Sequence, residues 1–267
     1  MLFTSFFGIL VAGYIFIFKA SSIEISFPST LIIMASGAAS LGSGYFYLKA
    51  LSKAEPSIVV PMFQVVAIFR YFLGLFFLNE HLTVLQIIAC ALVLLGSMAL
   101  ALESIEKKIR LKMSVVWPML VCTIITAVNG LAFKYVAIES NYWSTQAWDW
   151  LGLFLAGLII FLLNKNWRDT FLDILGQSKV KVLGITAVNE ILNVTAGLIF
   201  TYAILLMPLA VVSVVSNGLQ PFFVFFFGII ITIFIPRFGK ENIAKNHLLQ
   251  RIIAIATIFL GTFLLNR

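Results

Sequence analysis

Residues 86–100 read QIIACALVLLGSMAL, and residues 251–265 read RIIAIATIFLGTFLL. The two apolar stretches share the same residue at seven aligned positions, which in the first stretch are Ile87, Ile88, Ala89, Ala91, Leu95, Gly96 and Leu100. Identity at a fixed spacing indicates one structural unit that is used twice. With their flanking residues, both stretches are long enough to cross a bilayer as helices, which takes about 20 residues.

The composition of the chain favours a membrane protein. Of its 267 residues, 61% are hydrophobic and 11% are charged, whereas a soluble domain has about 25% charged residues. A soluble fold cannot hide so much apolar surface, because a large part of any folded surface faces water. We therefore predict an all-α integral membrane protein with nine transmembrane helices, at about residues 2–18, 28–48, 57–78, 83–102, 114–136, 143–163, 182–206, 209–235 and 248–265.

The repeat extends upstream of the two quoted stretches. Further identities pair Phe69 with Phe223, Phe72 with Phe226, Gly74 with Gly228, Gly42 with Gly197, Tyr47 with Tyr202 and Leu51 with Leu206. Spans two, three and four are thus predicted to repeat as spans seven, eight and nine. Because the copies lie an odd number of helices apart, they must cross the bilayer in opposite directions, as the inverted repeats of many secondary transporters do.

The repeat also predicts the domain organisation. Residues 1–103 would form a first repeat of four helices, residues 104–113 a linker, and residues 114–267 a second repeat of five helices. The first repeat then lacks one helix of a ten-helix bundle, either truly or because Met1 is not the real start.

Basic residues account for the net charge of +7 and lie in short runs between the spans, for example Lys107, Lys108, Arg110 and Lys112. Such runs are typical of topology signals and of contact with anionic lipid headgroups. No basic soluble module is present that would bind nucleic acid. The charge distribution predicts an N-terminus inside and a C-terminus outside, in the plasma or inner membrane of the cell.

Three predicted spans contain polar side chains that would be costly in hydrocarbon unless they face a cavity or a partner. Arg70 in span three would receive an anionic substrate group, form a fixed ion pair, or extend to the interface. Glu190 and Asn193 in span seven share a helical face, and both are expected to face the interior of the bundle. Glu190 would either bind a proton or only pair with Arg70.

Span eight contains a polar stripe at helical spacing, formed by Ser213, Asn217 and Gln220, and Gln64 lies in the counterpart span three. Pro221 has no N–H, so it frees a carbonyl one turn earlier, which a cavity-lining helix tolerates. The stripe fits either cavity lining or polar contacts between helices.

Small residues predict close helix packing at Ser36, Ser40, Gly44, Gly74, Gly96, Gly228 and Gly261. Lys134 and Asp149 lie near predicted span ends and are expected to be interfacial.

No cofactor, metal site or disulfide is expected, because Cys90 and Cys122 lie in apolar spans and no CxxC pair or His/Cys cluster occurs. The GxxxxGK[ST] motif of ATP-binding proteins is absent, so transport would use a gradient. HExxH, GxSxG and a pair of membrane aspartates are also absent, which disfavours an intramembrane enzyme.

A set of short apolar motifs resembles the EamA domain of the drug/metabolite transporter superfamily. They are Tyr47-Leu48-Lys49-Ala50-Leu51, Val59-Val60-Pro61, Phe69, Leu73-Gly74, Asn79-Glu80, Leu82-Thr83, Gln86 and Gly96, with Leu219-Gln220-Pro221-Phe222-Phe223 and Gly261 in the second copy. The resemblance implies two inverted five-helix halves and transport of small solutes, and it makes Glu80 the end of a span. The chain departs from the family in having nine helices and in carrying Pro236 through Glu241 where a Gly-Glu pair is usual.

The predicted function is that of a secondary transporter, a permease or exporter that moves a small polar metabolite by alternating access. Its solute would bind near the midplane, between the two halves, at Gln64, Arg70, Glu190, Asn193, Ser213, Asn217 and Gln220. The predicted partners are the solute and membrane lipids, with protons as a candidate coupling ion. A homo-oligomer, a non-transporting or inactive membrane protein and, less favoured, an intramembrane enzyme are left open.

Overall fold

A computed structural model of the protein describes residues 1–19, 25–54, 59–102, 113–177, 180–234 and 245–265. Within these ranges the chain is all-helical and contains no strand. The described helices are α1 (Leu2–Phe18), α2 (Phe27–Leu51), α3 (Val65–Leu78), α4 (Val84–Leu102), α5 (Met113–Glu139), α6 (Tyr142–Leu163), α7 (Lys165–Gln177), α8 (Val180–Leu206), α9 (Leu209–Phe234) and α10 (Lys245–Leu265).

Every helix except α7 contains an apolar stretch. Four stretches have the length and composition needed to cross a membrane, namely Phe27–Leu51, Met113–Glu139, Tyr142–Leu163 and Leu183–Leu206. Five shorter ones lie at Leu2–Phe18, Met62–Leu78, Val84–Ala99, Leu209–Gln220 and Ile252–Leu265. These helices coincide with the nine predicted helical segments. All nine expose large apolar side chains, and only 6% of the long stretch in α8 is buried.

Helix α7 was not predicted, since residues 165–181 were assigned to a connection. Asn164 alone separates it from α6, and the Asn164 Oδ1 accepts the backbone N–H of Trp167 at 3.2 Å, which satisfies one free donor of the first turn. Its Phe171 ring packs 4.7 Å from Phe3 and 5.9 Å from Phe161, measured between ring centroids. Aromatic packing on the first unit therefore holds a short helix whose mean hydropathy is low.

Span three also differs from the single helix expected over residues 57–78. A 3₁₀ segment, Val60–Gln64, precedes α3. Pro61 lies in its first turn, where a residue without an N–H removes no required hydrogen bond. Gln64 is consequently the last residue of this tighter segment.

The helices form two compact units. The first unit contains Met1–Tyr47 and Ile124–Leu206, and the second contains Leu48–Thr123 and Met207–Arg267. Each unit draws helices from both predicted repeats, because helices of one repeat pack on helices of the other. The compact units are therefore not the same divisions of the chain as the predicted repeats at 1–103 and 114–267.

Glycines and small residues set the helix contacts of the first unit. Helices α1 and α6 are antiparallel, since Ser5 meets Gly157 and a β-carbon at Gly8 would lie 3.0 Å from the Trp150 carbonyl oxygen. Gly37 of α2 likewise meets the backbone of α6. Helix α2 also contacts α5 through hydrogen bonds from the Asn129 side-chain amide to Ser40 Oγ, at 3.0 Å, and between Ser43 and Thr126, at 2.7 Å.

The second unit is built on a reciprocal contact between α4 and α10, the helices of the quoted repeat. A β-carbon at Gly96 would lie 2.9 Å from the Ala254 carbonyl oxygen, and one at Gly261 would lie 2.8 Å from the Ala89 carbonyl oxygen. Ala89 and Gly96 are the repeat counterparts of Ala254 and Gly261, so each copy contacts the other through the same positions. The order of the contacts makes α4 and α10 antiparallel. The predicted packing role of Gly96 and Gly261 is confirmed.

We predict that Gly96→Ala destabilises the protein by about 1–3 kcal/mol, because the added methyl group must displace backbone at a close helix crossing. Gly197→Ala is the matched control: among the described residues no other side chain or helix comes within 4 Å of its β-carbon position, and alanine favours a helix. Thermal unfolding of the purified protein in detergent should show a lower Tm for Gly96→Ala only. Equal Tm values for the two variants would contradict the close contact.

Candidate functional site

The seven predicted site residues fall into two groups. Glu190 and Asn193 belong to the first unit, whereas the other five belong to the second unit and lie on the 3₁₀ segment, α3 and α9: Gln64, Arg70, Ser213, Asn217 and Gln220. Each group has its own geometry.

Arg70 is a buried cation of the second unit, with only 5% of its surface exposed. Its Nη1 donates a hydrogen bond to Ser213 Oγ at 2.8 Å, and that Oγ donates to the Leu209 carbonyl oxygen at 2.6 Å. Ser213 is fully buried and links the guanidinium to the first turn of α9. The guanidinium therefore has a hydroxyl partner on α9, and the three interpretations of Arg70 stay predictions.

Gln64 supplies a hydrogen-bond donor that a proline removes from α9. A helical residue normally donates its N–H to the carbonyl four residues earlier, and Pro221 cannot donate to Asn217. The Gln64 Nε2 donates to the Asn217 carbonyl oxygen instead, at 3.0 Å. The prediction that Pro221 frees a carbonyl is confirmed, and the partner is a side chain of the repeat-related span three. The other Gln64 atom, Oε1, is buried and has no hydrogen-bond partner among the described residues.

The rest of the polar stripe on α9 does not share one environment. Ser213 is buried, Asn217 is half-buried and Gln220 is exposed. The stripe therefore begins as an interhelical contact and ends at an exposed side chain. Ser213 fits the interpretation of a polar contact between helices, and the lining of a cavity stays a prediction.

In the first unit, Glu190 and Asn193 differ in burial although they are three positions apart. Glu190 is 6% exposed, and its Oε1 accepts the hydroxyl of Thr4 on α1 at 3.0 Å. Its Oε2 is buried and, within the described ranges, has no hydrogen-bond partner. Asn193 is exposed, so burial in the interior is observed for Glu190 and not for Asn193.

Arg70 and Glu190 each have a hydrogen-bond partner in their own unit, Ser213 for the former and Thr4 for the latter. One of the two alternatives given to Glu190 from the sequence was that it only pairs with Arg70. The observed partner of Glu190 Oε1 is the Thr4 hydroxyl, and the pairing with Arg70 stays a prediction.

A polar network between α6 and α8 was missed. The Tyr142 hydroxyl donates to the Leu198 carbonyl at 2.7 Å, and the Gln146 side-chain amide donates to Tyr142 at 3.2 Å and to Thr201. Trp150 Nε1 donates to Gln146 Oε1 at 3.1 Å. The signal was present in the sequence, because positions 142, 146 and 150 lie one above another on a helix. Its donors and acceptors satisfy one another, so the network is an interhelical contact.

Lys134, which was expected to be interfacial, is buried among the helices of the first unit, with 6% of its surface exposed. Its interfacial position stays a prediction. Helix α5 extends to Glu139, three residues beyond the predicted end of this span, so Lys134 lies deeper in the helix than its predicted position.

No group of three His, Cys, Asp or Glu side chains that would hold a metal ion occurs in the described part of the chain. Cys90 and Cys122 are both buried and form no disulfide. The basic run at residues 107–112 and the segment Pro236 through Glu241 lie outside the described residues.

Comparisons with known proteins indicate a shared fold. No family model and no curated protein matches the sequence. Fifteen chains of known structure match. One crystal structure is similar with a TM-score of 0.65 over 99% of this chain and 85% of that chain, at 16% sequence identity. At this identity the similarity shows a shared fold alone.

The Gln64 contact predicts an energetic coupling with Pro221. In the Pro221→Ala variant the N–H of residue 221 can bond Asn217, so the Gln64 side chain is no longer needed there. We expect Gln64→Leu to cost about 0.5–1.5 kcal/mol more in the wild-type protein than in Pro221→Ala. Unfolding of the four proteins in detergent measures the coupling, with Gln220→Leu as an exposed control. Strictly additive effects would show that the Gln64 bond does not replace the missing one.

Proposed function

We propose that the protein is a multi-pass membrane transporter that moves a small polar metabolite by alternating access. The membrane assignment is supported by the surface of the helices. Nine of the ten described helices are apolar and expose large apolar side chains, such as Leu163 at 82% and Phe76 at 73%. Lipid is the solvent that accepts such a surface, because in water it would be an aggregation liability.

The reciprocal packing of α4 on α10 is the observation that favours a transporter. Two copies of one sequence contact each other through equivalent positions and run in opposite directions. Helices α3 and α9 repeat the arrangement, since Gln64 meets Asn217 and Arg70 meets Ser213, which lies earlier in α9. Inverted repeats packed in this way are the architecture on which many secondary transporters are built. The resemblance to the EamA domain leads to the same proposal.

The proposed solute site consists of the predicted residues with roles adjusted to their surroundings. Asn193 and Gln220 are exposed and are proposed to contact the solute first. Arg70 is proposed to favour solutes with a carboxylate or phosphate, since a guanidinium binds these groups through paired hydrogen bonds. The proposed energy source is a gradient.

Glu190 is the proposed site for a coupling proton. One of its carboxyl oxygens has a partner in Thr4, and the other is buried with no hydrogen-bond partner among the described residues. Carboxyl groups within membrane spans commonly belong to ion pathways or proton relays. We propose no enzymatic activity and place the protein in the plasma or inner membrane, with a non-transporting membrane protein as the alternative.

Transport by the purified protein in liposomes tests the proposal. Vesicles containing the protein are incubated with a metabolite extract under an imposed pH gradient, and the trapped solutes are identified by mass spectrometry. We expect at least one polar solute to accumulate relative to empty vesicles. Arg70→Ala and Glu190→Gln should reduce its uptake at least about tenfold, because a buried charged group contributes about 1.5–3 kcal/mol through its hydrogen bonds.

Because Arg70 and Glu190 are buried, their variants need a folding check by size-exclusion chromatography. Asn193→Ala and Gln220→Ala change exposed side chains and test the site without that concern. Thr257→Ala is the control, since within the described part of the chain the Thr257 hydroxyl bonds the Ile253 carbonyl of its own helix and no other helix. Vesicles that accumulate nothing, or uptake that is unchanged in all four site variants, would reject the transporter or its site, respectively.

A further inference from the structure

A tight turn follows α3 and brings Glu80 back over the helix. Asn79 ends α3 in the left-handed conformation, with φ 51° and ψ 34°, which asparagine tolerates better than most residues. The backbone N–H of Glu80 then donates to the Gly74 carbonyl oxygen at 3.0 Å. The side chain of Glu80 is thereby directed along the end of α3.

The Glu80 carboxylate occupies space that only glycine leaves free. A β-carbon on residue 74 would lie 2.6 Å from Glu80 Oε2, closer than β-carbons come to other atoms. Gly74 is buried and has an ordinary helical conformation, so a side chain there would have to displace the end of the Glu80 side chain. Gly74 is predicted from the sequence to allow close packing, and what packs there is a carboxylate.

From this position the Glu80 carboxylate reaches a different helix. Its Oε2 accepts the backbone N–H of Leu209, the first residue of α9, at 2.8 Å. The first N–H groups of a helix have no partner within the helix, and a negative charge there is favoured by the helix dipole. Glu80 therefore caps α9 from the end of α3.

The same turn of α9 holds Arg70. The Leu209 carbonyl oxygen accepts the Ser213 hydroxyl at 2.6 Å, and Ser213 Oγ accepts Arg70 Nη1 at 2.8 Å. Glu80 thus binds the backbone N–H of Leu209, and Arg70 is linked to the carbonyl oxygen of the same residue through Ser213. The contacts form a closed ring that leaves α3 at Arg70, passes through α9 and returns to α3 at Glu80.

We propose that Glu80 is a positioning residue for Arg70. Its carboxylate, in the space above Gly74, fixes the first turn of α9, and this turn holds Ser213 against the guanidinium. Glu80 itself does not contact the solute. The inference rests on the proposed function only in that Arg70 belongs to the proposed site. It gives a role to the Asn79-Glu80 pair, which the sequence marks merely as the end of a span.

Two measurements on purified protein in detergent test the ring without any solute. Hydrogen–deuterium exchange of a peptide that contains Leu209 reports the cap, and modification of Arg70 by phenylglyoxal, followed by mass spectrometry, reports the guanidinium. We expect Glu80→Ala to raise both rates about fivefold or more, the effect of losing one hydrogen bond or cap. Gly74→Ala should do the same, because it expels the carboxylate.

Conservative and control variants separate positioning from general loosening. Glu80→Gln keeps an acceptor for Leu209 and should stay close to the wild-type rates. Ser213→Ala should raise only the labelling of Arg70. Gly197→Ala should change neither rate, and the half-exposed Arg168 should be labelled equally in every variant, which shows that the fold is retained.

Faster exchange at Leu209 with unchanged labelling of Arg70 in Glu80→Ala would overturn the proposal, because Glu80 would then only cap the helix. Unchanged exchange at Leu209 would overturn the cap as well. A failure of transport in liposomes would leave both results standing, so the two proposals fail independently.

Discussion

The second unit depends on a close contact between the backbones of α4 and α10. A β-carbon at Gly96 or at Gly261 would lie 2.9 or 2.8 Å from a carbonyl oxygen of the facing helix, so glycine is what permits this contact. In lipid, apolar side chains gain little by leaving one apolar medium for another, so helices associate through close packing. Gly96 lies against Ala254, and Gly261 lies against Ala89. Ala89 and Ala254 are themselves repeat counterparts. A larger side chain at either position would separate two helices that the repeat places together.

Polar contacts within each unit follow a second constraint, that buried polar groups need partners. Gln64 bonds the carbonyl that Pro221 leaves free, Thr4 bonds one oxygen of Glu190, and Ser213 bonds Arg70. Gln64 Oε1 in the second unit and Glu190 Oε2 in the first are among the buried atoms that have no hydrogen-bond partner within the described residues. A polar group that bonds such an atom removes the cost of burying it unpaired.

The sequence predicted the nine apolar helices because each is a continuous apolar run bounded by charged or turn residues; four of the described stretches have the length and composition needed to cross a membrane. It also predicted which glycines would pack, because Gly96 and Gly261 occupy equivalent positions of a repeat. Helix α7 was missed because its charged and apolar residues give a low mean hydropathy, unlike the apolar spans. Trp167 and Phe171, four positions apart, lie on one face and could have indicated an amphipathic helix. Asn193 was grouped with Glu190 because they are three positions apart. Helix α8 buries only a narrow stripe of its surface, so Glu190 is buried and Asn193 is exposed.

The composition of the compact units was beyond sequence reasoning for a different reason. The repeat shows which segments are equivalent, but whether equivalent segments pack on each other depends on contacts between residues far apart in the chain. The ring of Glu80, Leu209, Ser213 and Arg70 has the same origin, since its members come from segments about 130 to 140 residues apart. The sequence showed which single residues are polar or small, but which residues they contact could be seen only in the folded structure.

Distances between spin labels on α4 and α10 test the central claim most directly. The labels replace exposed residues at equivalent repeat positions, Ile88 and Met98 on α4 and Ile253 and Phe263 on α10, with both native cysteines removed. Antiparallel packing predicts short distances for Ile88 with Phe263 and for Met98 with Ile253, and longer ones for Ile88 with Ile253 and for Met98 with Phe263, which are offset by about 15 Å along the helices. The opposite ranking would mean that the two copies run the same way, and it would contradict the account.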